Sequence, residues 1–171
     1  MDARNTALLV IDMQNDFVED GAIFEVKGIR DSLPQFSEFI AKCRELGVLV
    51  IYTRHRESKG KALRQNTHGW RIHKGIAPEQ DIVLDKGKND AFSGTALDRE
   101  LRGREIRTVI ITGTMTDICC NATAAGARLR GYGVVFCSDL TFTSKKEEHE
   151  RILGEMGTSV RASKEILEAL S

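Results

Sequence analysis

The chain has no excess of either charge: 25 Lys and Arg residues stand against 25 Asp and Glu. A nucleic-acid-binding domain usually carries a basic surplus, so this balance predicts no nucleic-acid partner. Long apolar runs are missing too. The first, Ala7 to Ile11, meets an acid at Asp12, far short of the ~20 residues that a spanning helix needs. It is also too short for the apolar part of a secretion signal, and no small-residue cleavage site follows it. The expectation is a cytoplasmic protein with no membrane partner. Cysteine is sparse: Cys43, Cys119, Cys120 and Cys137 fit neither a CxxC zinc pattern nor a dense disulfide framework. Reduced thiols suit the cytosol, and no disulfide then competes for a chemically useful one. Repeats, low-complexity tracts and Pro/Ser-rich linkers are absent as well. The 171 residues therefore read as one domain, 1–171, large enough to bury a core without staples.

What is present is a regular alternation. Apolar runs rich in β-branched residues recur at Ala7–Ile11, Val48–Thr53, Ile82–Leu84, Thr108–Gly113 and Gly133–Ser138, with a weaker one at Thr158–Ala162. Continuous Val/Ile runs suit strands buried on both faces, as in a parallel sheet covered by helices. Between them lie helical patterns. One places Leu33, Phe36, Phe39, Ile40, Cys43 and Leu46 on a single face and stops at Gly47. Others cover 95–103, 116–131 and 145–157. The fold class predicted is α/β, three layers and doubly wound, with crossovers that should be right-handed. Ligands on such sheets collect beyond the carboxyl ends of the strands.

Three residues stand just past such ends: Asp12, Lys86 and Cys119. A cysteine attacks as thiolate, and its free pKa near ~8.5 leaves it mostly protonated at neutral pH. Thr116 and Asp117 are candidate N-caps that would set Cys119 in a first helical turn, where free N–H groups and the dipole favour the thiolate. A nearby lysine favours it further. An aspartate in reach can take the thiol proton and return it to a departing nitrogen, while helix N–H groups hold an oxyanion. This chemistry needs no cofactor. Each residue also has a plainer reading: a loop cap for Asp12, a solvated loop charge for Lys86, a small core residue for Cys119. A non-catalytic nucleotide-binding domain is the rival reading, but no GxGxxG or GxxxxGK[ST] loop follows any strand.

Taken together, three segments resemble the isochorismatase-like cysteine hydrolase superfamily, which includes nicotinamidases, N-carbamoylsarcosine amidases, ureidoacrylate amidohydrolases and isochorismatases. LLVIDMQNDF is similar to the family's first strand and its aspartate, here Asp12. In VLDKGKNDAFSGTALDREL a lysine precedes an Ala-Phe pair by five residues, and that lysine is Lys86. VIITGTMTDICCNATAAGARLRGYGVVFCSD resembles the stretch around the nucleophile, with Cys119 two residues after Thr-Asp. The resemblance implies a six-stranded parallel sheet, a cis peptide at Thr114-Met115, and an oxyanion hole from the N–H groups of Met115 and Cys119. It implies a cysteine amidohydrolase acting on a small amide, carbamoyl or ureido substrate through a thioester. A vinyl-ether hydrolase of the isochorismatase type is the alternative. Relatives commonly form dimers or tetramers, so a homo-oligomer is expected.

One departure from that pattern is informative. Nicotinamidases carry an Asp-x-His metal site after the second strand, whereas this chain reads YTRHRESKG, with Arg54 and Arg56 around His55. No bound metal is expected. From 54 to 74 the bases are Arg54, Arg56, Lys59, Lys61, Arg64, Arg71 and Lys74 against the single acid Glu57. A guanidinium there, Arg54 or Arg71, could hold a substrate carboxylate through two parallel hydrogen bonds; a solvated loop or a dimer contact is the plainer reading. Phe17, His55, Trp70 and Phe92 are candidates for the pocket wall.

Overall fold

The computed structural model describes residues 1–171. Six parallel strands form one sheet: β1 (Thr6–Ile11), β2 (Leu49–His55), β3 (Ile82–Lys86), β4 (Thr108–Thr114), β5 (Gly133–Phe142) and β6 (Val160–Arg161). Their spatial order is β3-β2-β1-β4-β5-β6. The order reverses between β1 and β4, which makes their carboxyl ends the switch point where this kind of sheet opens a crevice. The helices are α1 (Asn15–Val18), α2 (Ile29–Glu45), α3 (Leu97–Arg102), α4 (Asn121–Leu129), α5 (Lys146–Met156) and α6 (Ser163–Leu170). None is long and apolar enough to cross a membrane.

Strand alternation divides the core in two. Leu8 and Val10 of β1 face one apolar cluster, built with Phe36, Phe39 and Ile40 of α2 and with Ile166 of α6. Ala7, Leu9 and Ile11 face the other, with Leu101 of α3, Ala124 of α4 and Ile152 of α5. Every residue of β1 is buried, which is why the strand reads as an unbroken apolar run rather than an alternating one. Helix α2 starts at Ile29, four positions before the expected face begins, and carries Pro34 inside it. The periodic ladder simply extends backward: Ile29 and Leu33 are buried on the same side as Phe36 and Ile40.

Where β1 and β4 meet, their backbones touch more closely than a side chain permits. Gly113 pairs with Ile11 at φ +109°, and a Cβ there would lie 2.0 Å from the Ile11 carbonyl oxygen. Gly113→Ala should therefore lower the melting temperature, because rigid backbone has to separate; the cost exceeds ~1 kcal/mol, and each kcal/mol is worth roughly 2–4 °C in a chain this size. Gly154→Ala is the control. A Cβ at Gly154 meets nothing within 4 Å, and alanine here, in the last turn of α5, should stabilise by up to about 0.5–1 kcal/mol. Thermal unfolding of both variants checks the sign of each change.

Candidate active site

Four strand ends deliver the site. Asp12 leaves β1 in the left-handed region, at φ +50°, a conformation that costs an L-residue ~1–2 kcal/mol. Two contacts hold it there: its N–H donates to the Thr53 carbonyl at 3.2 Å, and Thr53 Oγ1 donates to Asp12 Oδ1 at 2.6 Å. Lys86 is the last residue of β3 and His55 the last of β2. Cys119 follows β4 within a π-helical turn, Thr116–Cys120, that precedes α4.

Lys86 Nζ is the hub of the cluster. It lies 2.7 Å from Asp12 Oδ2, 3.1 Å from His55 Nδ1, 3.2 Å from Cys119 Sγ and 3.1 Å from the Lys88 carbonyl. Asp12 is wholly buried and Lys86 is 1% exposed. The contact to Oδ2 has ion-pair distance but poor hydrogen-bond direction, so Oδ2 has no well-aligned donor. An unsatisfied carboxylate oxygen beside a thiol is suited to receive its proton. Because an ammonium can only donate, His55 Nδ1 accepts from Lys86, and Nε2 carries the proton facing Glu57 Oε1 at 3.0 Å.

The electrostatics differ from the sequence expectation in one respect. Neither Thr116 nor Asp117 caps a helix; the cap position is Met115 and has no side-chain bond, while Thr116 Oγ1 sits 2.9 Å from His149 Nδ1. The Cys119 thiol is not lowered but pushed up to about 12, first by burial and then by the Asp12 charge, against the opposing pull of Lys86. Burial also weighs most on Lys86 and works to lower its value, yet Asp12 and Cys119 outweigh it and the ammonium ends above a free lysine. The ground state is therefore a neutral thiol beside a buried carboxylate–ammonium pair.

A cavity of about 450 Å³ opens above Cys119, lined by Phe17, Ile23, Phe24, Met115 and Ile118 with the polar His55, Glu25, Glu57, Asn89 and Ser144. The Thr114-Met115 peptide is cis, and the Met115 N–H has no acceptor among the protein's own groups. Phe17 and His55 reach this cavity; Arg54, Trp70 and Phe92 do not. Arg54 donates to both oxygens of Asp85, at 2.7 and 3.1 Å, and its guanidinium lies 3.8 Å over the Trp70 ring. Phe92 stacks on Tyr132 at 5.8 Å inside the second core cluster. The rest of the basic segment is a strap tied to the first motif. Gln14 Nε2 donates to the carbonyls of His55 and Trp70, Asn15 Nδ2 to that of His68, and Asp16 Oδ2 accepts from the Leu63 N–H.

The groups that sequence reasoning passed over as site residues include Thr53, Gln14, Asn89, Glu25, Glu57, Ile23 and Phe24. Gln14 left a signal, as the first of two adjacent amides, Gln14 and Asn15, between an apolar strand and an aromatic in DMQNDF. The others depend on which loops converge.

Residues 6–163 match the isochorismatase domain family model. A probable inactive nicotinamidase of Arabidopsis thaliana is 32% identical over 166 residues, covering 85% of each chain. Ureidoacrylate amidohydrolase of Methylorubrum extorquens is 26% identical over 175 residues, 82% of this chain and 71% of the relative. Among solved structures, N-carbamoylsarcosine amidase of Thermoplasma acidophilum superposes with TM-score 0.84 at 26% identity, covering 95% of this chain and 97% of its own.

Proposed function

The chain belongs to the isochorismatase family of hydrolases, and on that premise we propose that it is a cysteine-dependent amidohydrolase cleaving a C–N bond of a small amide, carbamoyl or ureido compound. The observation that carries this reading is the contact of one buried ammonium, Lys86 Nζ, with both Asp12 Oδ2 and Cys119 Sγ beneath an open cavity. With the resting thiol protonated, nucleophile and base have to act together. As Cys119 sulfur attacks the carbonyl carbon, its proton passes to Asp12, and Lys86 stabilises the negative charge appearing on sulfur. The former carbonyl oxygen becomes an oxyanion, facing the N–H groups of Met115 and Cys119. Collapse breaks the C–N bond, and the nitrogen leaves with the proton held by Asp12. Water then attacks the thioester carbon, giving its proton to Asp12, which returns it to sulfur as the acid departs.

A resident metal does not fit this arrangement. Ligand atoms of Asp12, His55 and Cys119 lie within 4.8 Å of one another, but the Lys86 ammonium already touches all three. A divalent cation would have to share the centre of the cluster with a fixed positive charge at contact distance, where like charges repel strongly. The test is ammonia release from a panel of small amides, ureas and carbamoyl acids, assayed before and after exhaustive chelation. Turnover of at least one substrate, unchanged by chelation, is expected. Loss of activity on chelation, restored by zinc, would refute the metal-free mechanism.

A further inference from the structure

The cavity wall holds a charge pattern that neither the mechanism nor the basic segment explains. Its only ionisable side chains besides His55 and Cys119 are Glu25 and Glu57. Each is tethered on one side: Glu25 Oε2 accepts the Gly21 N–H at 3.0 Å, and Glu57 Oε1 faces His55 Nε2 at 3.0 Å. Glu25 Oε1 and Glu57 Oε2 have no hydrogen-bond partner in the protein, and both residues line the cavity. No lysine or arginine lines the cavity itself. Arg54 is held by Asp85 and Trp70, Arg56 lies on the far side of Glu57 in an adjoining recess, and Lys27 and Lys146 share another recess with Glu25. Lys86, in the floor, is neutralised by Asp12. The same cavity has an apolar wall in which Phe17 and Phe24 stack at 5.9 Å, joined by the exposed Ile23 and Ile118.

We propose that Glu25 and Glu57 make this cavity a charge filter, admitting uncharged and cationic amides with an apolar flank and rejecting substrates that carry a carboxylate. The inference deepens the amidohydrolase reading of the same cavity and rests on it for the word substrate. A carboxylate entering here meets two like charges and no guanidinium or ammonium in the cavity lining, whereas an ammonium meets two acceptors. The effect acts on entry and binding rather than on the bond broken, so it falls on KM more than on kcat.

Two measurements test it independently. The first needs no turnover: the rates at which iodoacetamide and iodoacetate alkylate Cys119, each normalised to the neutral thiol N-acetylcysteinamide. Iodoacetate should lag by about tenfold or more beyond that reference, and the Glu25→Gln/Glu57→Gln double variant should bring the two within about threefold. Equal rates in the wild type, or a ratio unmoved by the double variant, overturn the filter. The second compares butyramide, 4-aminobutyramide and succinamate, expected in the order cationic, neutral, anionic by kcat/KM. If these three and the whole panel of amides, ureas and carbamoyl acids are inert while the alkylation ratio holds, the filter stands and the amidohydrolase reading falls. If succinamate is hydrolysed best, the filter falls and the amidohydrolase reading stands.

Discussion

Cys119→Ala is expected to remove hydrolysis, by about 10⁴-fold or more in kcat, while Cys120→Ala keeps most of it. Adjacent residues in a helical turn point ~100° apart, and the two thiols occupy different surroundings. Cys119 is 7% exposed and opens on the cavity. Cys120 is fully buried, 4.0 Å from the Thr112 carbonyl, with burial raising its thiol well above the usual range. Iodoacetamide at pH 8 should accordingly label Cys119 first. The neighbours then separate two roles that a simple loss of activity confuses. Because the Asp12 charge helps to raise the Cys119 thiol and Lys86 works to lower it, Asp12→Asn should speed alkylation, whereas Lys86→Met should slow it. Both should lose turnover, the first because no group is left to carry the proton to the leaving nitrogen. Peptide mapping by mass spectrometry gives the labelling order. Labelling and loss of function at Cys120 instead would overturn the assignment of the nucleophile.

Lys86→Met should lower kcat by about 10²–10³-fold, and Lys88→Met should leave it within about twofold. Lys88 is exposed and offers only its backbone carbonyl to the cluster. From the sequence Lys86 reads as a site charge or a solvated loop charge, yet it is among the largest fully buried side chains. Methionine fills much of the same volume but strands Asp12, and breaking a buried pair from one side costs ~3–5 kcal/mol. A lower melting temperature is therefore expected together with the loss of rate. The Asp12→Asn/Lys86→Met double variant should recover stability without recovering activity. The pH dependence follows from the sign of the shift. The ammonium's folded value lies above that of free lysine, so its stabilisation is complete below about pH 10 and fades as pH rises through the folded value. Recovery of activity in the double variant, followed by ammonia release, would show that Lys86 serves the fold alone.

Most of the sheet was legible because β1, β2 and β4 are buried on both faces, which leaves uninterrupted apolar runs in the sequence. Strand β6 was barely visible, since only Val160 and Arg161 pair, and α6 was missed although Ile166 and Leu170 anchor it. Pro34 hid the first turn of α2, because proline is better tolerated at a helix start than in its interior. Asp12, Lys86 and Cys119 could be named by motif because each closes or follows a strand, and topology carries all three to one edge. Arg54, Trp70 and Phe92 could not be placed by the same reasoning. Whether a guanidinium meets a ligand or an internal acid depends on Asp85, which lies 31 positions away. Glu57 looked like a minor exception in a basic stretch, and only the geometry shows that its lone charge, not the seven around it, faces the cavity.

The hub at Lys86 also fixes how the protein should respond to its ionic surroundings. In the proposed cycle a proton moves from sulfur to Asp12 and on to the departing nitrogen, while the ammonium stays in place. As the carboxylate becomes neutral, the negative charge passes through sulfur to the carbonyl oxygen beside it, so the summed charge of the cluster and bound substrate does not change at that step. No counterion is needed from solvent, and dissolved salt has little purchase on Asp12 and Lys86, which are buried beneath the cavity. Glu25 and Glu57 stand at the open side, where ions reach. Ionic strength then divides the protein's behaviour by depth: it tunes what enters the cavity and leaves the bond-breaking step nearly untouched.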